Sequence, residues 1–163
     1  MSIIGKYKSP TPTSEAVGRA LEEQGKYKVK YVKLKFRRIP EIEFYENGLR
    51  LIRDIATAHA VVITEANFLL SHFDVRKETK IIQLWHGVGM FKKCGYSVIP
   101  EEERGSVEYP AYRNYTDVTI AAPIQREQFE ESMNIPKGSD IIKPIGIART
   151  DVFYDPEIGR AHV

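Results

Sequence analysis

Apolar residues alternate between two periods along this chain. In TPTSEAVGRALEEQG, residues 11–25, Ala16, Val17, Ala20 and Leu21 fall at helical spacing, with prolines ahead, Thr13 or Ser14 as the cap and Gly25 past the end. The pattern predicts a helix with both terminal signals. In KYKVKYVKLKF, 26–36, charge alternates with Tyr27, Val29 and Tyr31, then the phase slips and Leu34 and Phe36 continue on the other parity. That is the pattern of a strand with a bulge. NGLRLIRDIATA, 47–58, puts Leu49, Ile52, Ile55 and Ala56 on one expected inward face behind an Asn47 cap, and HAVVIT follows as a short buried strand. KIIQLW, TDVTIAA and DIIKPIG repeat that strand character, and PIQREQFEESMN between the last two reads as a helix with Pro123 at its first position.

Strands separated by helices of this length require parallel crossovers. The expected fold is therefore a three-layer α/β domain of Rossmann-like type with a mostly parallel sheet. Ligands of such sheets sit beyond the carboxyl ends of the strands, where QLWHGVG and PIGIART both fall.

Composition narrows the function classes. A length of 163 residues suits one domain with a single core. The 24 basic and 22 acidic residues leave a formal charge of only +2, so attraction to a polyanion has to come from local clustering, and no nucleic-acid partner is expected. The single cysteine, Cys94, excludes a disulfide framework and fits a reduced compartment. No run approaches the roughly 18 apolar residues of a membrane span, and the amino terminus lacks a signal-peptide stretch, so a cytoplasmic location is expected. His59, before VVIT, reads as a strand-edge or core residue and His72 as a loop residue. The spacing of histidine, cysteine and carboxylates suggests no metal site.

The chemistry concentrates in IIQLWHGVGMFKKCGY, residues 81–96. His86 stands at a predicted strand end, followed by Gly87 and Gly89, which lack a Cβ and let a ligand approach the backbone. Lys92 and Lys93 follow within about a turn. Imidazole moves protons near neutral pH, and cations neutralise phosphate, so the set suits phosphoryl transfer to a hydroxyl. The same residues also fit a tight turn with packed Trp85 and His86 and solvated lysines. Lys26, Lys28 and Lys30 share one parity of the basic strand, and Lys33, Lys35 and Arg37 the other. That pattern protects a sheet edge from aggregation, and it also offers charge to an anionic membrane surface.

The tail EIGRAHV, 157–163, is what the DNA string GAGATCGGAAGAGCACACGTC encodes, nearly all of which is a common sequencing-library adapter. It is set aside here as an artefact, and the natural reading frame is expected to continue beyond Pro156.

QLWHGVGMFKK resembles the Q-x-W-H-G-T-P-x-K-K signature of the CDP-glycerol glycerophosphotransferase family, which makes teichoic acids and related capsule polymers. GKYKSPTPTSEAVGRALEEQGKYKVKYV is similar to that family's opening segment, NGLRLIRDIATAHAVVIT to its helix and Val-Ile strand, and GIARTDVFYD to its G-x-P-R-x-D turn. The likeness spans roughly Gly5 to Asp155. Val88 and Gly89 replace Thr-Pro, and Ala148 replaces the proline before Arg149.

The resemblance implies a GT-B architecture of two facing Rossmann-like domains, of which residues 1–156 are the first, acceptor-side one. It implies transfer of glycerol phosphate or a related polyol phosphate from a CDP-activated donor to a hydroxyl of a lipid-linked primer or polymer. It implies that His86 is the catalytic residue and that Gly87, Gly89, Lys92, Lys93 and Arg149 bind phosphate. CDP-glycerol enters as donor substrate and no cofactor is implied. The enzyme would work in the cytoplasm or peripherally at the inner face of the cell membrane. The competing expectation is a stand-alone, non-catalytic α/β module that binds an anionic polymer or partner.

Overall fold

Four consecutive apolar residues with no exposed side leave Ala60–Ile63 (β3) room only inside a sheet. In the computed structural model, which describes residues 2–5, 11–33, 38–67, 69–89, 91–107 and 112–154, they lie near its middle. Around β3 run Ser2–Gly5 (β1), Lys30–Lys33 (β2), Lys80–Leu84 (β4), Asp117–Thr119 (β5) and Ile142–Lys143 (β6). Every pairing is parallel and the order is β2-β1-β3-β4-β5-β6. The helices are Pro12–Glu23 (α1), Glu41–Thr57 (α2) and Arg126–Met133 (α3). The α/β architecture expected from the alternation is thus present, and all carboxyl strand ends open on one edge.

The chain first steps outward from β1 to β2 through α1, then back over β1 to β3 through α2. With right-handed crossovers these two steps place α1 and α2 on opposite faces. The two apolar clusters agree. On one face Leu51 and Ile55 of α2 and Phe129 and Met133 of α3 cover Val61, Ile63, Ile81, Val118, Ile120 and Ile142. On the other, Val17 of α1 packs with Tyr31, Val62, Ile82 and Leu84. Burying a side chain of the Leu, Ile or Phe class stabilises by about 1.5–3 kcal/mol. Among the described residues the larger cluster therefore carries most of the hydrophobic stabilisation.

Several local expectations change. The cap of α1 is Thr11, whose hydroxyl accepts from the Ser14 amide at 3.3 Å; Thr13 and Ser14 are buried inside the first turn. Asn47 is no cap either. Helix α2 begins six residues earlier, at Glu41 after Pro40, and Asn47 and Gly48 are among its buried residues together with Leu51 and Ile55. Leu49, Ile52 and Ala56, expected inward, face solvent. Among the described residues of the long basic stretch the strand is Lys30–Lys33, at the edge of the sheet as expected, and 34–37 lie outside the described residues. Strand β1 was not foreseen. Pro123 does open a helical segment, as a 3₁₀ turn Pro123–Gln125 leading into α3. Among the described residues no helix is long and apolar enough to cross a membrane.

Candidate functional site

The site lies along the carboxyl edge of the sheet, where the segments after β3, β4, β5 and β6 converge. Strand β4 ends at Leu84, paired with Thr119 of β5, and the chain leaves the sheet as Trp85-His86-Gly87. Trp85 is anchored from below: its ring meets the fully buried Phe129 edge-on, centroids 4.9 Å apart. His86 stacks on Trp85 with centroids 4.8 Å apart and an interplanar angle of 30°. The core thus fixes the indole, and the indole fixes the plane of the imidazole.

Three further contacts hold this turn. His86 Nδ1 lies 3.0 Å from the main-chain oxygen of Thr64, just after β3. A carbonyl oxygen can only accept, so Nδ1 carries the proton and Nε2 of the neutral ring keeps its lone pair. Arg149, in the 3₁₀ turn Ala148–Tyr154 after β6, donates from Nη1 to the main-chain oxygen of His86 at 2.7 Å. Gln125 donates from Nε2 to the main-chain oxygen of Val88 at 2.7 Å, and its Oε1 accepts from the amides of Ala121 and Ala122 at 3.0 and 3.2 Å. Segments 22, 37 and 63 residues away in sequence therefore meet on two residues of the turn, His86 and Val88.

The two glycines stand in close quarters without an unusual backbone angle, and an added Cβ on either would make its neighbour give by a few tenths of an ångström. A Cβ on Gly87 would stand 3.3 Å from the Trp85 indole nitrogen, and one on Gly89 3.3 Å from the Phe91 ring. Gly87 thereby admits the indole that carries His86. His86 itself is exposed, as are Lys92, Lys93 and Arg149. Arg149 is brought to His86, where its guanidinium meets the backbone oxygen. Lys92 and Lys93 follow the exposed Phe91 at the rim of the same loop.

His59 is exposed immediately before β3, and its main-chain oxygen accepts from the Lys80 amide at 3.0 Å, a strand-edge role and not a core one. His72 is exposed in the segment after β3. Among the described residues no group of three or more histidine, cysteine or carboxylate side chains is placed to hold a metal ion.

Sequence reading missed Gln125 and the Thr64 carbonyl. Gln125 had a signal: it stands three residues after Ala122 at the start of a proline-led helix, the place where a glutamine side chain turns back onto free amides.

A sequence profile of the family described as CDP-Glycerol:Poly(glycerophosphate) glycerophosphotransferase matches residues 15–161. Among curated proteins the chain is 36% identical over 107 residues to the teichoic acid ribitol-phosphate primase of Bacillus spizizenii, covering 63% of this chain and 27% of that protein. It is 31% identical over 126 residues to the teichoic acid glycerol-phosphate primase of Bacillus subtilis, covering 71% of this chain and 32% of the relative. The chain thus spans no more than about a third of these relatives. Among solved structures, the wall teichoic acid polymerase TagF superposes with a TM-score of 0.61 at 14% identity, over 95% of this chain and 40% of that one. That likeness speaks to the fold.

Proposed function

Because the chain belongs to the CDP-glycerol:poly(glycerophosphate) glycerophosphotransferase family, we propose that residues 1–156 are the acceptor-side domain of a polyol-phosphate transferase of GT-B architecture. The remainder of the enzyme would supply the facing domain and most donor contacts. The donor in this reading is CDP-glycerol or a related CDP-polyol, and the acceptor a hydroxyl of a lipid-linked primer or teichoic-acid-like polymer.

The observation that carries the reading is the orientation of His86. Its Nδ1 faces the Thr64 carbonyl, so Nε2 is the nitrogen free to take a proton at the carboxyl edge of the sheet. The acceptor oxygen attacks the phosphorus that bears the polyol, the bond from that phosphorus to the bridging oxygen breaks, and CMP leaves. The acceptor's proton goes to His86 Nε2. Lys92, Lys93 and the guanidinium hydrogens of Arg149 not spent on the His86 carbonyl would stabilise charge on the phosphoryl oxygens, with Gly87 and Gly89 keeping the turn slim enough for approach. Arg149 has a second role in this reading, since its bond to the His86 carbonyl sets where the histidine backbone sits.

A peripheral position on the inner membrane face fits the same enzyme, because its acceptor is lipid-linked. Lys26, Lys28 and Lys30 are exposed on the approach to edge strand β2, with Lys30 also paired to Asp54. Side chains at 33, 35 and 37 lie outside the described residues. Each cation near an anionic surface contributes about 1 kcal/mol.

Release of CMP from CDP-glycerol and from CDP-ribitol tests the proposal. The 163-residue chain alone should give none, because positioning and charge stabilisation need both sides of the cleft. The chain extended by its downstream reading frame should turn over one of the two donors. Turnover by the short chain, or none by the extended one with either donor, would refute the assignment.

A further inference from the structure

Helix α2 has one apolar side more than the domain uses. Leu51 and Ile55 are buried against the sheet. A second stripe points away from it: Ile42 is 70% exposed, Tyr45 58%, Leu49 69% and Ile52 38%, with Ala56 exposed after them. The steps between these residues are 3, 4, 3 and 4, the spacing of a helix seam that packs on another helix. From Ile42 to Ala56 the stripe runs about 21 Å at roughly 1.5 Å per residue. A surface helix that merely caps a sheet shows one such stripe and a polar remainder.

The charges beside the stripe are divided by position. Glu41, Glu43 and Glu46 lie in the first half of the helix, and Arg50 and Arg53 in the second, while Asp54 is already paired with Lys30. We infer that this face pairs with the same face of a second copy, the two α2 helices running antiparallel about a two-fold axis at Leu49. Leu49 then meets its own counterpart, Ile42 meets the second copy's Ala56, and Tyr45 lies beside the second copy's Ile52. Glu46 comes alongside the second copy's Arg53, and symmetry repeats each contact. A parallel pairing would set glutamates against glutamates.

An acidic start and a basic finish also suit the helix dipole. The dipole gives no reason for an exposed Ile-Tyr-Leu-Ile seam. An anionic bilayer is a poorer occupant, because the helix holds four carboxylates against two guanidiniums. One helix pair falls short of the ~800 Å² per partner of a standard interface, so the dimer is weak and reversible.

Sedimentation equilibrium of the 163-residue chain over a concentration series tests this directly. The expected result is a monomer–dimer equilibrium that Leu49→Glu removes while leaving the melting temperature of the dilute, monomeric chain unchanged, since Leu49 is largely exposed. Ile42→Glu at the far end of the stripe gives an independent repeat. Arg53→Glu should weaken the dimer by roughly fivefold, since it breaks two symmetry-related surface pairs, and Glu46→Arg combined with Arg53→Glu should restore it. The inference fails if the chain stays monomeric throughout, if the dimer ignores Leu49→Glu, or if the double swap does not recover it. Binding to phosphatidylglycerol vesicles that Leu49→Glu abolishes would also overturn it, assigning the face to a membrane. None of these readouts depends on transferase activity.

Discussion

The imidazole of His86 and the main-chain oxygen of Thr64 lie 3.0 Å apart, joining the ends of two neighbouring parallel strands. Every residue type at 64, proline included, offers the same main-chain carbonyl, so the contact is set by the sheet and survives side-chain change at that position. Removing the imidazole is therefore the informative experiment. In the extended enzyme His86→Ala should lower turnover by about 10²–10⁴, the usual loss for a general base. The melting temperature of the domain should hardly move, because the ring is exposed. Unfolding of the variant would instead make His86 a packing residue, and normal turnover would remove it from the chemistry.

Gln125 is separable into two functions by substitution. Gln125→Glu keeps an acceptor for the Ala121 and Ala122 amides but faces the Val88 carbonyl with a carboxylate oxygen. Gln125→Ala loses all three bonds. Stability should drop by about 1–3 kcal/mol in the alanine variant, where two amides lose their acceptor, and less in the glutamate one. Amide resonances of Gly87 and Gly89 should shift or broaden in both. If the glutamate variant leaves those resonances untouched, Gln125 caps the α3 entry and does not position the histidine turn.

Gly95 sits where only glycine fits. Its φ is +57°, and a Cβ there would stand 2.2 Å from the main-chain oxygen of Ser132 and 2.8 Å from the Tyr112 hydroxyl. Gly95→Ala should destabilise by more than about 1 kcal/mol, the threshold for alanine forced into a left-handed angle, with the backbone clash added. Gly25→Ala is the control, since its φ is +65° but nothing lies within 4 Å. Equal melting temperatures for the two variants would mean that the Ser132 contact costs nothing.

Tyr31 makes the stability of the domain depend on pH on the alkaline side. Burial raises its phenol above the ordinary 10.0, and Glu22 and Glu15 of α1 add to the shift while Arg19 opposes it. A raised folded-state value means that the unfolded chain ionises first. The stability due to this group is complete below pH 10 and is lost as pH climbs through the folded value. Tyr31→Phe, which keeps the ring, should therefore show a constant offset from wild type at neutral pH and gain on it in alkaline denaturation curves. An offset that stays flat across the alkaline range would contradict the shift.

The strands HAVVIT and KIIQLW were legible because residues buried on both faces leave a continuous apolar run, which no solvated segment tolerates. The glycine turn after β4 and Arg149 after β6 were legible as a strand-end pair for the same reason, once parallel strands were inferred: parallel pairing brings all carboxyl ends to one edge. Edge strand β2 announced itself by its lysines.

The inward face of α2 was not legible. Its sequence holds two apolar stripes, and the one chosen for the core includes Asn47 and Gly48. Gly48 packs toward Leu69, where an added Cβ would make an ordinary contact at 3.6 Å. Hydrophobicity alone ranks Leu49 and Ile52 higher, yet Leu51 and Ile55 are the apolar residues buried beside Asn47 and Gly48. The sequence by itself determined the parallel α/β layers and the strand end that carries His86, because periodicity and apolar runs are local properties. Only the tertiary structure decided which nitrogen of His86 holds the proton and that Gln125 and Arg149 grip the turn. Those contacts join backbone atoms, which are alike in every residue, across 22 to 63 positions of chain.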